Sequence, residues 1–440
     1  MSASQTFFLI FKNWWWLIIP IILYLPAVYL YLWWLNWDVW NKKKKWILLE
    51  VKPPKEILKP FKAMEDVFLA LWYVYDHPNW REKWCEGMLA NPAWFSLETV
   101  SIGGDIHFYI RIEEAWRNLF ETTLYSQYPE IEISEAEDYT KNVPHDVPND
   151  NWDLYGEDFY LMKPDPYPIK TYSAFFEERA EIVVEEKRID PMNSLLEMMA
   201  KLQSGEQLWL QIVCVPITEA DVPFITEGRI MADKIARRPA KIPIKPIVQE
   251  AAEKAAEIFI TGKVLEEKKV TEVEIIPPEM KLTPGEKKIL AAIENKISKY
   301  SFKVWIRTVY IYKKDAPHFY GNYKIGRSYL GHFADADLNG FKYWGPTRTR
   351  IHYWFRKPRL YLRKRKIFKN YIERFSPLFP RVSGRPSIPF GWSKGKGWFV
   401  LNTEELATIY HFPALAAPLP PEVPRVEAKR GGPPPELPIE

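Results

Sequence analysis

A run of basic residues is the strongest candidate for chemistry in this sequence. Between Arg356 and Phe375 it reads RKPRLYLRKRKIFKNYIERF, with aromatic residues among the cations. This pattern could hold phosphates and stack on bases, or it could bind the anionic lipids of an inner leaflet. The candidate binding residues are Arg356, Lys357, Arg359, Arg363, Lys364, Arg365, Lys366 and Lys369.

Two other interpretations of this run stay open. One is an amphipathic helix whose apolar side docks on the body while its charged side is only solvated. The other is docking on the chain's own acidic region, because residues 121–190 contain 18 acidic and 6 basic residues, whereas residues 341–400 contain 16 basic and one acidic. The 440-residue chain has a net charge of only +4, which argues against a surface built entirely for nucleic acid.

Motifs for catalysis or for metal binding are incomplete. The sequence has no G-x-x-x-x-G-K-[ST] string and therefore no P-loop. A G-x-S-x-G string at 391–395 follows prolines and precedes a strand-like run, which predicts a loop and not a nucleophile elbow. Asp335, Asp337 and Asn339 begin like a calcium loop, but Pro346 stands where a bidentate Glu is needed. We therefore expect no enzymatic activity, no cofactor and no metal.

The N-terminal residues predict a membrane anchor. From Trp14 to Trp37 the sequence reads WWWLIIPIILYLPAVYLYLWWLNW, which is 24 residues without a charge. As a helix this segment is about 36 Å long, enough to cross a hydrocarbon core of about 30 Å. Tryptophans at both ends and lysines after the second end are typical of a spanning helix. The candidate anchoring residues are Trp14, Trp15, Trp16, Trp33, Trp34, Trp37, Lys42, Lys43, Lys44 and Lys45.

The charges around this segment predict its orientation. Lysine is more frequent after the segment than before it, so the main body should be cytoplasmic and the N-terminus outside a bacterial inner membrane. The alternatives to an anchor are a buried core helix and a signal peptide, although no small-residue cleavage site follows for the latter. Cys85 and Cys214 exclude a disulfide scaffold and a four-Cys zinc site, and two unpaired thiols suit a reducing compartment.

The body of the chain predicts α+β structure. Residues 46–149 read as β-α-β-β-α-β, with Gly103-Gly104 forming the hairpin turn, which is the ferredoxin-like (split βαβ) plan. Asp190-Pro191 and the capping box at Thr283 each open a later helix that is followed by an apolar strand. The fold class we predict is α+β: one N-terminal transmembrane helix, then ferredoxin-like domains, then a Pro-rich tail.

The predicted domains follow from composition and from these elements. They are a membrane anchor with a Lys-rich flank at 1–45, a first α+β domain at 46–149, a linker rich in Pro and Asp at 150–168, a second α+β domain with a helical insertion at 169–320, a basic C-terminal subdomain at 321–412 and a Pro-rich tail at 413–440.

Four separated strings carry a resemblance to a known family. In chain order they are ILLEVKPPKEILKPFKAMEDVF, IDPMNSLLEMMAKLQSGEQLWLQIV, IPPEMKLTPGEKKILAAIENKI, and LNTEELATIYHFP followed by AKRGGPPPELP. They resemble the N-terminal membrane-anchored region of type IV secretion and conjugative DNA transfer ATPases, of the coupling-protein, HerA/FtsK-like class. In the longer relatives a Pro-rich segment runs into a RecA-like motor, whereas this sequence ends at Glu440 without Walker residues.

The resemblance implies partnership and not catalysis. Our leading hypothesis is a membrane-anchored, non-catalytic scaffold or assembly component that positions a separate P-loop ATPase of the secretion or conjugation type; DNA and a second copy of the chain are further partners. The alternative is a stand-alone, membrane-tethered module that binds nucleic acid through residues 356–375. In relatives the helix of LNTEELATIYHFP lies at the exit of the module, so Glu404, Leu406 and Tyr410 are candidates for partner docking, with core packing as the alternative.

Overall fold

A computed structural model of the chain describes residues 34–54, 57, 60–75, 78–88, 94–175, 190–238, 282–352, 354–374 and 397–413, together with eight positions between 20 and 32. The strands are β1 (Trp46–Lys52), β2 (Phe95–Ile102), β3 (Asp105–Glu113), β4 (Glu132–Ala136), β5 (Trp152–Leu161), β6 (Glu206–Ile217), β7 (Ser301–Lys313), β8 (Phe341–Tyr343) and β9 (Phe399–Asn402). The longer helices are α1 (Pro60–Trp72), α2 (Arg117–Gln127), α3 (Pro191–Ala200), α4 (Phe224–Ile235), α5 (Pro284–Ile297), α6 (Ile325–Gly331), α7 (Arg356–Ile372) and α8 (Thr403–Ile409).

Shorter helical turns complete the described structure. Leu35–Trp40 and Glu82–Glu86 are short π-helical segments, Asn41–Lys43 and Tyr172–Phe175 are single α-helical turns, and Glu114–Trp116, Tyr139–Asn142 and Tyr320–Lys324 are 3₁₀ turns.

All the described strands belong to one antiparallel sheet, so the predicted α+β class is confirmed. Their order is β4-β1-β3-β2-β6-β7-β5-β8, and β9 pairs with the first four residues of β7, beyond the reach of β5. The sequence β1-α1-β2-β3-α2-β4 has the spatial order 4-1-3-2. The sequence β5-α3-β6-β7-α6-β8 repeats that order, and the two halves meet through eight paired residues of β2 and β6.

Local sequence signals explain where several elements begin and turn. Gly103 and Gly104 both have positive φ and connect β2 to β3, as the hairpin prediction requires. Asp190 accepts a hydrogen bond from the Met192 amide, and Thr283 forms a reciprocal capping box with Glu286. These predicted caps are confirmed.

The structure differs from the predicted division at residues 150–168. A linker was predicted there, but β5 occupies Trp152–Leu161 inside the sheet, and the pairing of β2 with β6 joins the two halves without a break. Residues 321–412 do not stand apart either, because α6 and β8 complete the second half of the sheet. Two charged residues of the predicted linker, Glu157 and Asp158, are buried against arginines, as described below.

The sheet carries an apolar core on each face. On the first face, α1, α2, α3, α6 and α8 cover side chains such as Leu49, Leu97 and Ile306. On the second face, α7 and residues 139–147 cover Leu48, Trp209 and the neighbouring strands. Helices α4 and α5 lie between β6 and β7 in the chain, and they pack against each other around a smaller apolar cluster.

Candidate functional site

Helix α7 carries the whole basic run and breaks a local rule at its start. Its first turn contains three cations, Arg356, Lys357 and Arg359, and no acidic residue. The amino end of a helix already bears partial positive charge, so cations there are unfavourable unless an anion compensates them. Phe355, the residue before the helix, has φ of +56°, a left-handed conformation that costs a non-glycine residue free energy. Local conflicts of this kind are expected at functional sites.

The carboxyl half of α7 is fixed to the second face of the sheet by apolar packing. Ile367, Phe368 and Tyr371 are buried there, and the Trp209 ring lies 5.2 Å from that of Tyr371. A Cβ atom at Gly156 of β5 would come within 2.9 Å of the Ile367 side chain, so this close approach needs glycine. The apolar stripe therefore docks the helix, as an amphipathic helix would.

Arg374, just after α7, locks that end with a buried ion pair. Its Nε and Nη2 donate to the two carboxylate oxygens of Glu98 over 2.9 and 3.1 Å, and Nη1 donates to Asp138 over 2.7 Å. Tyr139 and Gln211 donate two further hydrogen bonds to Glu98. Burial raises the pKa of Glu98, but the charge of Arg374 and the hydrogen bonds from Arg374, Tyr139 and Ser96 together outweigh burial, so the net pKa lies below its ordinary value.

Glu98 belongs to a buried polar row that crosses four strands. Glu98 pairs in register with Gln211, Gln211 with Arg307, and Arg307 with Asp158. Arg307 donates from Nε to Asp158 over 2.6 Å, while its two terminal nitrogens have no hydrogen-bond partner among the described residues. Sequence reasoning missed this row. Its signal was a charged or amide side chain inside each of the four strands: Glu98, Gln211, Arg307 and Asp158.

The middle of α7 contacts the chain's own acidic region. Lys364 forms a salt bridge with Asp153 of β5, and Arg365 donates to the Asp146 carbonyl over 3.1 Å. Arg363 donates to the carbonyls of Arg348 and Gly345 over 3.0 and 3.2 Å. Lys364 and Arg365 therefore bind the acidic region, as the self-docking alternative expects, and all three cations position the helix although they are also candidate ligand-binding residues.

The remaining predicted cations of the run lie outside this middle stretch. The Nζ atom of Lys369 lies 3.9 Å from Oε1 of Glu373 at the surface, and the Lys366 side chain is exposed. Arg359 donates to the Trp354 carbonyl, one turn back, over 3.3 Å. Arg356 and Lys357 are exposed.

The amino half of α7 is a free end. From Trp354 to Leu362 every side chain is exposed except Leu360, which is half-buried. Trp354 and Phe355 are 85% and 78% exposed, although large apolar side chains are normally covered. We define the free end as Trp354–Leu362. It combines three cations with exposed aromatic rings, which is the composition of a surface for anionic, ring-containing ligands. Sequence reasoning missed Trp354 and Phe355, which directly precede the basic run.

This free end lies far from the start of β1, where the predicted anchor joins the body. Residue pairing from β1 through β3, β2 and β6 to β7 places Leu48 and Trp305 at the same position along the strand direction. Asp153 of β5 pairs with Tyr312, which lies seven residues further along β7. Trp46 lies two residues away in the opposite direction. Nine residues of strand correspond to about 30 Å, so α7 is held near the far end of the sheet.

The described anchoring residues lie at the start of the body. Trp34 is exposed, and Lys42, Lys43 and Lys45 are exposed just before β1. Lys44 forms a 2.8 Å ion pair with Glu113. Trp37 lies in the short helical segment before β1. Trp14, Trp15, Trp16 and Trp33 lie outside the described residues.

No helix within the described residues is long and apolar enough to cross a membrane, and half of the residues of the predicted span at 14–37 lie outside them.

The predicted docking residues of α8 are not on the surface, which corrects that prediction. Leu406 and Tyr410 are buried in the first core, and Glu404 is buried where it receives hydrogen bonds from Lys299 and Asn295. Asn402 caps α8, and the neighbouring Glu405 pairs with buried Lys296. These two contacts hold the helix in the position in which the three residues are buried. All three residues therefore take part in core packing.

In the described part of the chain, none of the incomplete motifs forms a complete catalytic or metal-binding site. Asp335 accepts hydrogen bonds from the amides of Asp337 and Leu338, which is an ordinary Asx turn. Among the described residues, no group of three or more His, Cys, Asp or Glu side chains could hold a metal ion. The G-x-S-x-G string at 391–395 lies outside them.

Comparison with known proteins gives one family match. A family model described as a domain of unknown function, DUF8128, matches residues 39–317, which is more than half of the chain. The match begins just before β1 and ends after β7, so it includes most of the sheet but not α7. No curated protein matches the chain.

Proposed function

We propose that this chain, which belongs to the DUF8128 family, is a membrane-anchored, non-catalytic scaffold. It would serve a type IV secretion-like or conjugative DNA transfer system by positioning a separate motor ATPase. The observation that carries the proposal is the separation of two features on one sheet. The predicted anchor enters at one end, while the basic, aromatic free end of α7 is held about 30 Å away along the strands.

This separation favours a bridging role over binding to the membrane by α7. The attraction between basic residues and anionic lipids fades within about a Debye length, roughly 8 Å at physiological salt. A cationic surface held about 30 Å from the anchor is beyond that range when the strands stand away from the membrane. The free end is then available to a cytoplasmic partner. The assignment to a secretion-like system rests on the sequence resemblance.

The finer architecture belongs to the same proposal. We assign both halves of the sheet to the ferredoxin-like plan, because each has the order β-α-β-β-α-β and the spatial order 4-1-3-2. We also assign residues 14–37 to a single transmembrane helix in a bacterial inner membrane and 413–440 to a Pro-rich tail. The exposed Leu30, Tyr31 and Trp34 support the first of these two assignments.

Purification of the full chain in mild detergent tests the scaffold. We expect a P-loop ATPase to be recovered with it in stoichiometric amount. The variant with Arg356→Ala, Lys357→Ala and Arg359→Ala should lose that partner. A control with Lys141→Ala, Lys201→Ala and Lys287→Ala removes three exposed cations elsewhere and should keep it. Recovery of the wild-type chain alone in several mild detergents would argue against the proposal.

Direct binding of nucleic acid is the second candidate, favoured by the exposed aromatic rings. Trp354, Phe355 and Tyr361 are exposed beside three cations, so phosphates and bases could both be contacted. The cations Arg363, Lys364 and Arg365 are engaged within the chain, and replacing them would disturb the position of α7.

The same two triple variants therefore test this candidate in the full chain. Wild-type binding to DNA should weaken steeply with salt. The variant of the free end should reduce the slope of log affinity against log salt by about 0.7–0.9 for each phosphate that the protein no longer neutralises. The control variant should leave the slope unchanged. Binding that ignores salt, or that survives removal of the free-end cations, would exclude this candidate.

A further inference from the structure

Large aromatic side chains are exposed at the end of the sheet opposite the Asp153 end. Tyr73, Trp80 and Tyr300 are 65%, 74% and 41% exposed. The hydroxyl groups of Tyr73 and Tyr300 are hydrogen-bonded at 3.1 Å, so these two rings belong to one surface. We define Tyr73, Trp80 and Tyr300 as the aromatic rim. Exposure of three large aromatic side chains is unusual unless a partner covers them.

Strand register places this rim at the end where the predicted anchor enters. Tyr300 directly precedes β7, while Trp46 begins β1 at the same end of the sheet. Trp72 at the end of α1 donates from Nε1 to the carbonyls of Ile217 and Ser301 over 3.2 and 3.1 Å. Those bonds fix the end of α1, and therefore the following Tyr73, to this end of the sheet.

A hydrogen bond connects the predicted membrane segment to the stretch that carries Trp80. The Tyr31 hydroxyl donates to the Trp84 carbonyl over 3.0 Å, and Leu35–Trp40 lies against Glu82–Glu86. Tyr31 lies within the uncharged segment, six residues before Trp37, which is about 9 Å along a helix. A tyrosine at that distance from the end of a span lies near the interface, so Trp84 shares that depth.

The surroundings of the rim fit a lipid surface. A groove of about 350 Å³ opens beside Tyr300 and has apolar walls from Trp72, Ile217 and Phe224. Lys42 and Lys43 are exposed before β1 and suit anionic headgroups. The nearby Glu113 and Glu114 pair with Lys44 and Lys45, so their charge is offset within the chain.

We infer that the aromatic rim is a second membrane contact, which rests in the headgroup layer of the leaflet that the body faces. Tryptophan and tyrosine favour this layer because their rings are apolar and their N–H or O–H groups reach water. The inference rests on the proposed anchor and adds that the body is held against the bilayer by its own side chains. The contact orients the sheet with its Asp153 end, and hence α7, away from the lipid.

Spin labels on single cysteines test the rim in the full chain. In a Cys85→Ser background, with Cys214 buried and unreactive, labels are attached at Tyr73→Cys, Trp80→Cys or Tyr300→Cys. Asp105→Cys, exposed at the opposite end, and Trp354→Cys serve as controls. The chain is placed in nanodiscs of phosphatidylethanolamine and phosphatidylglycerol, and collisions with oxygen and with a water-soluble nickel complex are measured.

We expect the rim labels to collide less with nickel and more with oxygen than both controls do. Trp80→Cys is decisive, because this exposed side chain has little packing to lose. If the chain stays in the bilayer but the rim labels collide with nickel as the controls do, the rim inference is wrong while the anchor stands. If the chain does not enter nanodiscs at all, the anchor fails and the rim with it.

Discussion

At the scale of single residues, the buried charges of this protein are balanced by partners that lie far away in the sequence. Glu98 is paired with Arg374, 276 residues later, and Asp158 with Arg307, 149 residues later. Local polarity could therefore not reveal them as core residues. The same cause explains why 150–168 resembled a linker: Asp158 and its neighbour Glu157 are neutralised inside the sheet by arginines that the local sequence does not contain.

Replacing Arg374 tests the importance of the Glu98 pair. Arg374→Met leaves the buried Glu98 and the half-buried Asp138 without their cation, so we expect a loss of about 3–5 kcal/mol in the free energy of unfolding at pH 7. Urea unfolding of the full chain in detergent measures this loss. Lys369→Met is the control, because its exposed contact with Glu373 should contribute only about 0.2–1 kcal/mol.

The pH dependence of this loss has a definite sign. Arg374 lowers the pKa values of Glu98 and Asp138 in the folded chain despite burial. The stabilisation is therefore complete above their unfolded values, about 4.3 and 3.9, and disappears as pH falls through the lower folded values. In Arg374→Met burial without the cation raises the same two pKa values, so the difference between wild type and variant should already narrow as pH falls from neutral and should continue to narrow below about pH 4. A difference that stays constant down to about pH 3 would show that the ion pair is not its source.

At the scale of elements, local sequence signals predicted where helices begin and where the chain turns. They did not predict which elements lie next to each other in the fold. The hairpin at Gly103-Gly104 and the caps at Asp190 and Thr283 depend on side chain and backbone within a few residues, and the structure confirms them. The basic run was predicted by composition, but its division into a docked half and a free half was not. That division depends on Asp153, Asp146 and Gly345, which reach α7 only through the folded sheet.

Two glycines provide a matched test of one predicted element. Gly104 has φ of +104°, and a Cβ there would lie 3.0 Å from the Ala200 carbonyl oxygen, whereas a Cβ at Gly285 would meet nothing within 4 Å. We expect Gly104→Ala to destabilise the chain by at least about 1–3 kcal/mol. Gly285→Ala in the first turn of α5 should be neutral or should stabilise by up to about 1 kcal/mol. Equal effects in thermal unfolding would mean that the backbone of the turn is not restrained as described.

At the scale of the whole molecule, the sheet consists of two similar halves. They are joined where β2, the last strand of the first half in the sheet order, pairs with β6, the last strand of the second half. The first half could be predicted, because its strands and helices follow one another at short spacing. The join could not, since the pairing of β2 with β6 connects residues more than 100 positions apart and depends on matching apolar faces. One consequence is a single body with two distinct ends, one near the predicted anchor and one near α7.

We propose that this body is held at a membrane by the segment that precedes β1. Washing native membranes with alkaline carbonate tests this anchoring, because carbonate strips proteins held only by surface charge or by other proteins. We expect the full chain to remain in the membrane pellet together with an integral marker. Release of the full chain into the supernatant together with a peripheral marker would contradict it.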